Sequence, residues 1–326
     1  MRFPLNIYFL SGLGGGLIAA LALPLWRDHC RRIGLVDDPG HRKIHAQPMP
    51  LAGGLAIWTA IAISLLGMIA LLKLGWMDAE TIQKSLFGLF RRRGQLMAIF
   101  GGATGMMILG ALDDKHELRP AIKFAGQLII ASLVAAAGIR ITLFVPSVVF
   151  SYAITVLWIL TVTNAFNFMD NMNGLCAGLG AIAAFWFGLA SALHGHYLVA
   201  AISFLTCGAL LGFLPFNFPR ATAFLGDSGS HLIGYLLAVL AILAHFYTKK
   251  SPHHWAVLSP LLILSIPLAD LAWVVALRWR LGRPFYVGDN NHLSHRLVRC
   301  GLSQTQAVLL IWVFAAGVGA LAFLWI

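Results

Sequence analysis

The chain has 326 residues, of which 59% are hydrophobic and 11% are charged, and its formal net charge is +11. Soluble proteins carry about 25% charged residues, so this composition excludes an ordinary water-soluble globule. Ten membrane spans of about 20 residues each would use roughly 200 residues, which leaves no room for a separate soluble domain. We therefore expect one membrane domain over residues 1–326.

Ten apolar segments predict an all-α, polytopic membrane protein. The predicted spans are residues 4–26, 51–74, 95–112, 121–138, 147–164, 174–193, 197–215, 229–247, 255–277 and 305–326. A signal peptide is the alternative for the first span, but Arg27, Arg31 and Arg32 follow it in a stop-transfer pattern. Ten crossings place both termini on the same side of the membrane.

The charged residues predict an orientation and a set of partners. Fourteen of the 23 basic residues lie in or beside five loops on one side, which the positive-inside rule makes cytoplasmic. The segment from Lys73 to Arg93 is basic on the other side, and we expect a short amphipathic helix there on the membrane surface. The basic residues form no separate domain, so anionic lipid or phosphate-bearing substrates are favoured and nucleic acid is not expected.

Ten of the twelve acidic residues also fall in or beside these five loops, which suggests one composite site. The first loop carries three cationic residues, Arg42, Lys43 and His45. Two prolines and a Gly-Gly pair follow at a helix N-terminus, where backbone N–H groups favour an anion. A positive-inside anchor with a helix cap explains the same residues equally well.

The second loop places two adjacent carboxylates, Asp113 and Asp114, at the end of a membrane helix, with Lys123 and Gln127 at the start of the next. Neighbouring carboxylates repel each other and need a cation or a proton-transfer role to stabilise them. Magnesium ligation and general-base catalysis both meet this need. A helix-end aspartate paired with a nearby basic residue is the structural alternative.

The third loop, residues 164–174, contains four asparagines and Asp170. Amides between two hydrophobic spans must bond to one another, line a wet cavity or bind a ligand, and they suit sugar hydroxyls or a nucleobase edge. A polar cap for the following helix would need only one or two of them.

The fourth and fifth loops add an acid and a basic cluster. Asp227 lies between Gly226 and Gly229, a few residues after Phe224, which fits either a helix N-cap or a hard-cation ligand beside a base-stacking ring. The fifth loop carries the candidate phosphate contacts His292, His295 and Arg296 after Asp289. Histidines exposed to water are the alternative there.

Taken in order, the loops resemble those of the polyprenyl-phosphate N-acetylhexosamine-1-phosphate transferases of glycosyltransferase family 4. The closest likeness is to the bacterial branch that loads GlcNAc-1-phosphate onto undecaprenyl phosphate, and it extends over nearly the whole chain. The motifs that carry it are Asp38-x-Pro-x-x-Arg-Lys-x-His45 with Pro48-x-Pro-x-x-Gly-Gly54, Asp113-Asp114 with Lys123 and Gln127, Asn164-x-x-Asn-x-x-Asp170 with Asn173-Gly-Leu, Phe224-x-Gly-Asp-x-Gly-Ser230, and Asp289 with the following histidines.

This resemblance implies that a polyprenyl-phosphate oxygen attacks the β-phosphorus of a UDP-sugar and releases UMP. Direct attack and a covalent enzyme intermediate are both compatible with it. The implied cofactor is Mg²⁺, with Mn²⁺ as an alternative, and the implied metal ligands are Asp227 and Asp114. Asp113 or Asp114 is expected to handle the proton of the lipid phosphate or to share the metal. The implied catalytic set is Asp113, Asp114, Asp227 and His292.

The resemblance also implies the substrate contacts. Uridine and sugar are expected at Asn167, Asp170, Asn217 and Phe224. Phosphate is expected at Arg42, Lys43, His45, Lys123, His292, His295 and Arg296. Three positions depart from the family pattern: Asn171 replaces a glycine, Asn173 an aspartate and Ser294 a histidine of many members. The change at 173 weakens any sugar assignment, and the change at 294 would weaken diphosphate binding unless Arg296 compensates.

The sequence therefore predicts a transferase of the bacterial cytoplasmic membrane, with its site on the cytoplasmic side and a product used in cell-envelope polysaccharide synthesis. A homodimer is compatible with this interpretation. One alternative is the peptidoglycan enzyme that transfers phospho-MurNAc-pentapeptide. A proton- or cation-coupled transporter is a second alternative, although its acids should lie near mid-span and its sequence should show inverted repeats.

Overall fold

The computed structural model describes residues 3–38, 47–246, 254–284 and 286–325. Within these ranges the helices are α1 (Leu5–Ile33), α2 (Gly53–Lys73), α3 (Ala79–Arg91), α4 (Arg93–His116), α5 (Pro120–Ala136), α6 (Val148–Met169), α7 (Leu175–Leu193), α8 (Tyr197–Phe213), α9 (Gly226–Leu243), α10 (Ser259–Ile263), α11 (Ser265–Arg280), α12 (Leu293–Arg299) and α13 (Gln304–Leu321). Short 3₁₀ turns follow α8 and α13 and precede α10. Two short strands, β1 (Val36–Asp37) and β2 (Met49–Pro50), pair antiparallel.

Each of the ten predicted spans coincides with helix, which confirms the all-α, polytopic membrane fold. In the described ranges, eight helices are long and apolar enough to cross a membrane on their own. The ninth predicted span is not straight, because α11 and the helical segment before it, residues 254–263, meet at an angle of 72°. The fourth span, α5, has only 17 residues.

Helix α3 confirms the amphipathic helix expected between Lys73 and Arg93. Its N-cap is Asp78, whose carboxylate accepts a hydrogen bond of 2.9 Å from the Thr81 N–H. Asn6, near the start of the chain, donates to the same carboxylate at 3.2 Å. The beginning of α1 and helix α3 therefore lie at one end of the bundle, which we call the opposite face.

The other end of the bundle, where α4, α6 and α11 end and α5, α7 and α9 begin, is called the site face. Helix α9 is the centre of the structure and is buried over most of its length, packed against α2, α4, α6 and α7. Glycines allow this close packing: a Cβ on Gly234 would lie 2.7 Å from the Cα of Thr163 on α6. Small residues commonly bring membrane helices together in this way.

Helices α1 and α8 form a second close pair through two glycine motifs. Gly12 and Gly16 on α1 lie against Gly208 and Gly212 on α8, and a Cβ added to either α8 glycine would collide with the α1 backbone. The four-residue spacing puts both glycines of each helix on one face. Both helices of this pair pack against α2, and α2 packs against α9.

Candidate active site

The site is built from the loops at the site face, and backbone pairing joins the first loop to the fourth. The Phe224 N–H donates to Pro50 O at 2.9 Å, and the Gly53 N–H donates to Phe224 O at 3.0 Å. The start of α2 is therefore fastened to the segment that leads into α9. Arg42, Lys43 and His45 lie outside the described residues, so their predicted phosphate contacts stay predictions.

Lys123 is the centre of the charge arrangement. Its Nζ lies 2.6 Å from Oδ2 of Asp113 and 2.6 Å from Oδ2 of Asp227. The three residues come from α4, α5 and α9, and Pro120 starts α5 so that Lys123 lies on its first turn. One ammonium group thus joins two carboxylates that would otherwise repel each other.

Asp114 has a different environment from its neighbour Asp113. Its Oδ1 accepts from the Asp227 N–H at 2.7 Å and its Oδ2 from the Ser228 N–H at 3.0 Å. Both oxygens are therefore used to hold the N-terminus of α9, where free N–H groups and the helix dipole favour a negative charge. Gly226 makes this approach possible, since its φ of 74° suits glycine and an added Cβ would crowd the Asp114 carboxylate.

Asn167, on α6, contacts the carboxylate of Asp227. Its Nδ2 donates to Oδ1 of Asp227 at 2.7 Å and to Ser230 Oγ at 3.0 Å. Asp227 therefore has a partner at each oxygen, Lys123 on one and Asn167 on the other. Ser230 belongs to the fourth-loop motif but was not predicted as a site residue; it lies three residues after Asp227 on α9, on the same side of the helix.

Asp170 follows α6 and points toward the start of α9. The Gly226 N–H donates to it. Burial, and then the nearby carboxylates of Asp227 and Asp114, raise the pKa of Asp170 well above its usual range. The site face thus concentrates four carboxylates around one lysine.

Sequence reasoning missed a buried polar chain behind these acids. Asn164 Nδ2 donates to Oε1 of Gln127 at 2.7 Å, and Nε2 of Gln127 lies 3.3 Å from Nε2 of His231. Gln127 and His231 are fully buried. The signal for His231 was its position four residues after Asp227, which puts both on one face of α9.

The fifth loop is anchored by α11, through two residues that were not predicted as site residues. Nδ1 of His292 lies 2.7 Å from Oδ2 of the buried Asp270, and the Leu293 N–H donates to Oδ1 of Asp270 at 2.6 Å. Nε of Arg278 donates to Oδ2 of Asp289 at 2.9 Å. Although burial alone would raise it, the hydrogen bonds from Arg278 and the Asn291 N–H lower the pKa of Asp289.

Aromatic contacts then bring the fifth loop against the third. The guanidinium of Arg278 lies 4.9 Å from the ring centre of Phe168, and that ring meets His292 edge-on at 5.7 Å. The ring of His295 lies 6.3 Å from that of His292. Burial, followed by the charges of His292 and Arg299, lowers the pKa of His295.

Two of the three departures from the family pattern contact each other. Ser294 Oγ donates to Oδ1 of Asn171 at 2.6 Å, and Nδ2 of Asn171 donates to Phe168 O at 2.7 Å. This contact is a further link between the fifth and third loops. Asn173 lies apart from it, 3.4 Å from Pro219 O.

The remaining predicted contacts have local roles. Asn217 is buried, accepts from the Gly174 N–H at 2.7 Å and donates to Ala223 O at 3.0 Å, so its amide holds the third and fourth loops together. Arg296 stacks on Trp273 of α11, with 4.7 Å between guanidinium and ring centre.

The chemistry of the acids fits a hard cation. In the described ranges no three His, Cys, Asp or Glu side chains form a complete metal cage. Mg²⁺ is commonly held by only one or two carboxylates, with substrate phosphate and water completing the shell. Asp227 and Asp113 face the Lys123 ammonium together, so this pair is better placed than Asp114 to share a cation.

Comparison with known proteins shows the family of this chain. A profile described as glycosyl transferase family 4 matches residues 96–245. The chain is 32% identical to a probable undecaprenyl-phosphate N-acetylglucosaminyl 1-phosphate transferase of Bacillus subtilis, over 91% of this chain and 79% of that protein. It is 34% identical to a decaprenyl-phosphate N-acetylglucosaminephosphotransferase of Mycobacterium tuberculosis, over 98% and 82%.

A third relative is the undecaprenyl-phosphate alpha-N-acetylglucosaminyl 1-phosphate transferase of Escherichia coli, with 28% identity over 94% of this chain and 81% of that protein. Helical membrane architecture, the acid–lysine centre and these similarities together define a membrane-embedded transferase. The chain belongs to glycosyl transferase family 4.

Proposed function

We propose that the protein transfers N-acetylglucosamine-1-phosphate from UDP-GlcNAc to undecaprenyl phosphate, releasing UMP and forming undecaprenyl-diphosphate-GlcNAc. The names of three similar proteins, each an N-acetylglucosamine 1-phosphate transferase or phosphotransferase acting on a polyprenyl phosphate, support this reaction. The observation that carries it is the Lys123 ammonium placed between Asp113 and Asp227 at one face of a membrane bundle. The peptidoglycan alternative has no comparable support, because each of those relatives is named for N-acetylglucosamine.

The reaction needs little covalent chemistry from the protein. An oxygen of the lipid phosphate bonds to the β-phosphorus of the nucleotide sugar, the bond from that phosphorus to the bridging oxygen breaks, and UMP leaves. Catalysis of phosphoryl transfer is mostly positioning and neutralisation of charge. Lys123 can contact a phosphate oxygen when it releases one of its two carboxylates.

Mg²⁺, or Mn²⁺ in its place, would be held by Asp227 and Asp113 and would neutralise the diphosphate and the leaving UMP. We assign Asp114 a positioning role, because its two oxygens fix the start of α9 and thereby the carboxylate of Asp227. Asn167 fixes the other oxygen of that carboxylate. These contacts reduce the reorganisation needed when charge develops in the transition state.

The other predicted contacts would hold the substrates around this centre. Uridine and sugar suit Asn167, Asp170 and the ring of Phe224, while His292 and His295 offer donors to phosphate. Asp270 fixes Nδ1 of His292 and leaves its Nε2 for a ligand. The site face would be cytoplasmic, in a bacterial inner membrane, because nucleotide sugars are made in the cytoplasm.

The test is product analysis by mass spectrometry. Purified protein is incubated with undecaprenyl phosphate and UDP-GlcNAc, UDP-GalNAc or UDP-MurNAc-pentapeptide, with Mg²⁺ or with excess chelator. We expect a lipid diphosphate carrying one N-acetylhexosamine, formed from UDP-GlcNAc with Mg²⁺ and lost with chelator. Product from UDP-MurNAc-pentapeptide alone would establish the peptidoglycan alternative, and undiminished product in chelator would contradict the metal assignment.

A further inference from the structure

A charged cavity lies at the opposite face, at the other end of the bundle from the acid–lysine centre. Its volume is about 330 Å³, and it forms where the junction of α3 and α4 meets the loop between α7 and α8 and the end of α9. Its charged and titratable lining comprises Arg91, Arg92, His196, Tyr197 and His245. The proposed transferase reaction uses none of these residues.

The histidines of this cavity are close together. The rings of His196 and His245 are perpendicular with 5.3 Å between their centres, and the His194 ring lies 6.3 Å from that of His196. Nδ1 of His196 is buried and has no hydrogen-bond partner among the described residues. Arg92 Nη1 donates to Oε1 of Gln95 at 2.8 Å, which directs the guanidinium along the wall of the cavity.

The positive charge of the cavity comes from Arg91 and Arg92. Burial, then His245 and His194, lower the pKa of His196, although a hydrogen bond with the Ala244 backbone acts in the opposite direction. Burial and Arg92 lower the pKa of His245. Among the described residues that line the cavity there is no Asp or Glu. Two guanidinium groups beside imidazole nitrogens favour an anion such as a phosphate at this place.

An apolar cavity of about 500 Å³ lies next to the charged one, and His245 lines both. Its wall includes Leu143, Leu157 and Leu261, whose side chains are 43%, 58% and 46% exposed and therefore available to a hydrocarbon chain. Arg140 stands at its edge, with its guanidinium 5.1 Å from the ring centre of Tyr152. A polar, basic space beside an apolar one matches a molecule with an anionic head and a hydrocarbon tail.

We propose that these paired cavities bind one anionic phospholipid, with its phosphate between Arg92 and His196 and an acyl chain in the apolar cavity. The opposite face meets the interfacial layer of the membrane, where lipid phosphates are concentrated and basic side chains attract them. The site is independent of the transferase centre. The phosphate and the acyl chain are the two features that identify the lipid, and an experiment can remove each of them separately.

The experiment is native mass spectrometry of the detergent-purified protein titrated with phosphatidylglycerol. We expect one tightly retained lipid, bound about tenfold more weakly by Arg92→Gln and by His196→Gln, since each loses a donor to a charged group. Arg93→Gln is the matched control: Arg93 is the next residue along the chain, is exposed and does not line the cavity. The affinity of the Arg93→Gln variant for phosphatidylglycerol should equal that of the wild type.

Further measurements distinguish binding of a lipid from binding of a free anion. Leu261→Trp fills the apolar cavity and should abolish retention of phosphatidylglycerol, and diacylglycerol, which lacks the phosphate, should not be retained by the wild type. Inorganic phosphate should compete only at concentrations far above that of the lipid. Equal binding by Arg92→Gln and Arg93→Gln, retention of diacylglycerol, or competition by phosphate as strong as that of the lipid would each overturn the proposal.

Discussion

Adjacent aspartates at the end of α4 have different surroundings, and this difference separates their roles. Asp113 contacts Lys123 and accepts the Leu118 N–H at 2.8 Å, whereas Asp114 accepts two N–H groups at the start of α9. The loop sequence describes both residues alike, as carboxylates near a membrane boundary, and the family resemblance implies Asp114, not Asp113, as a metal ligand. Which of them faces the lysine depends on where α9 begins relative to α4, and that is a tertiary property.

Asp114→Ala is therefore expected to reduce stability more than Asp113→Ala does. Loss of a capping carboxylate costs about 1–2 kcal/mol, and the partners of Asp114 lie in the most buried helix. Thermal unfolding of the two variants in the same detergent measures the difference. If both variants unfolded at the wild-type temperature, Asp114 would have no positioning role.

Asp289 gives a prediction for pH. Its carboxylate pairs with the buried Arg278, and its pKa is lowered by the hydrogen bonds it accepts, so its contribution to stability is present above the usual pKa of about 3.9. That contribution is lost as the pH falls through the lowered pKa. Asp289→Asn should be less stable than the wild type by about 2 kcal/mol at pH 7.

Unfolding measured from pH 7 down to about pH 3 should show the stability difference narrowing, because the unfolded wild type begins to bind a proton at Asp289 near the usual pKa of about 3.9. A stability difference that stays constant over this range would show that the charge of Asp289 contributes nothing.

At the scale of the helices, the sequence predicted which segments are helical, but it predicted less well how the helices pack. Apolar length located the helical segments, but the single span expected over 255–277 is bent before α11. Hydropathy contains no information on that angle. The short helix α12 was also missed, since its start depends on Asp270, which is distant in sequence and accepts the Leu293 N–H.

The contact between α4 and α9 is the element that the site depends on most. A Cβ on Gly110 would collide with the backbone at Asp227 and Ser228, whereas Gly101, on the same helix, has no atom within 4 Å of its would-be Cβ. We expect Gly110→Ala to cost about 1–3 kcal/mol in stability by overpacking and to reduce turnover strongly.

Gly101→Ala is the matched control and should be neutral or slightly stabilising, as an alanine in a helix is favoured over glycine by about 0.5–1 kcal/mol. Turnover and unfolding temperature are measured for both. Full activity in Gly110→Ala would mean that the position of α9 relative to α4 is not critical.

At the scale of the whole molecule, the acidic residues gather in loops on one side of the membrane, and this pattern correctly predicted that the loops converge. The structure links the second, third and fourth loops through Asp227, and the third and fifth through Asn171 and Ser294. The partner of each side chain could not be predicted, because residues such as Lys123 and Asp227 lie 104 positions apart. The buried supports Asp270 and His231 were missed as site residues for the same reason.

The orientation of the bundle is tested by cysteine labelling. Single cysteines introduced at Glu117 and Arg220 on the site face should be protected from an impermeant reagent in intact cells, and a cysteine at Trp76 on the opposite face should react. All three positions are exposed, so accessibility does not limit the reaction. Labelling of both site-face positions would reverse the assigned orientation.

The most direct test of the central claim is the nucleotide released by the wild type and by Asp227→Asn. With UDP-GlcNAc and undecaprenyl phosphate, the wild type should release UMP in equal amount to the lipid product. Asp227→Asn keeps the size of the side chain but loses the charge shared with Lys123, so UMP release should fall by about 10² or more while the unfolding temperature stays close to that of the wild type. Release of UDP instead of UMP by the wild type, or wild-type turnover by Asp227→Asn, would contradict the account.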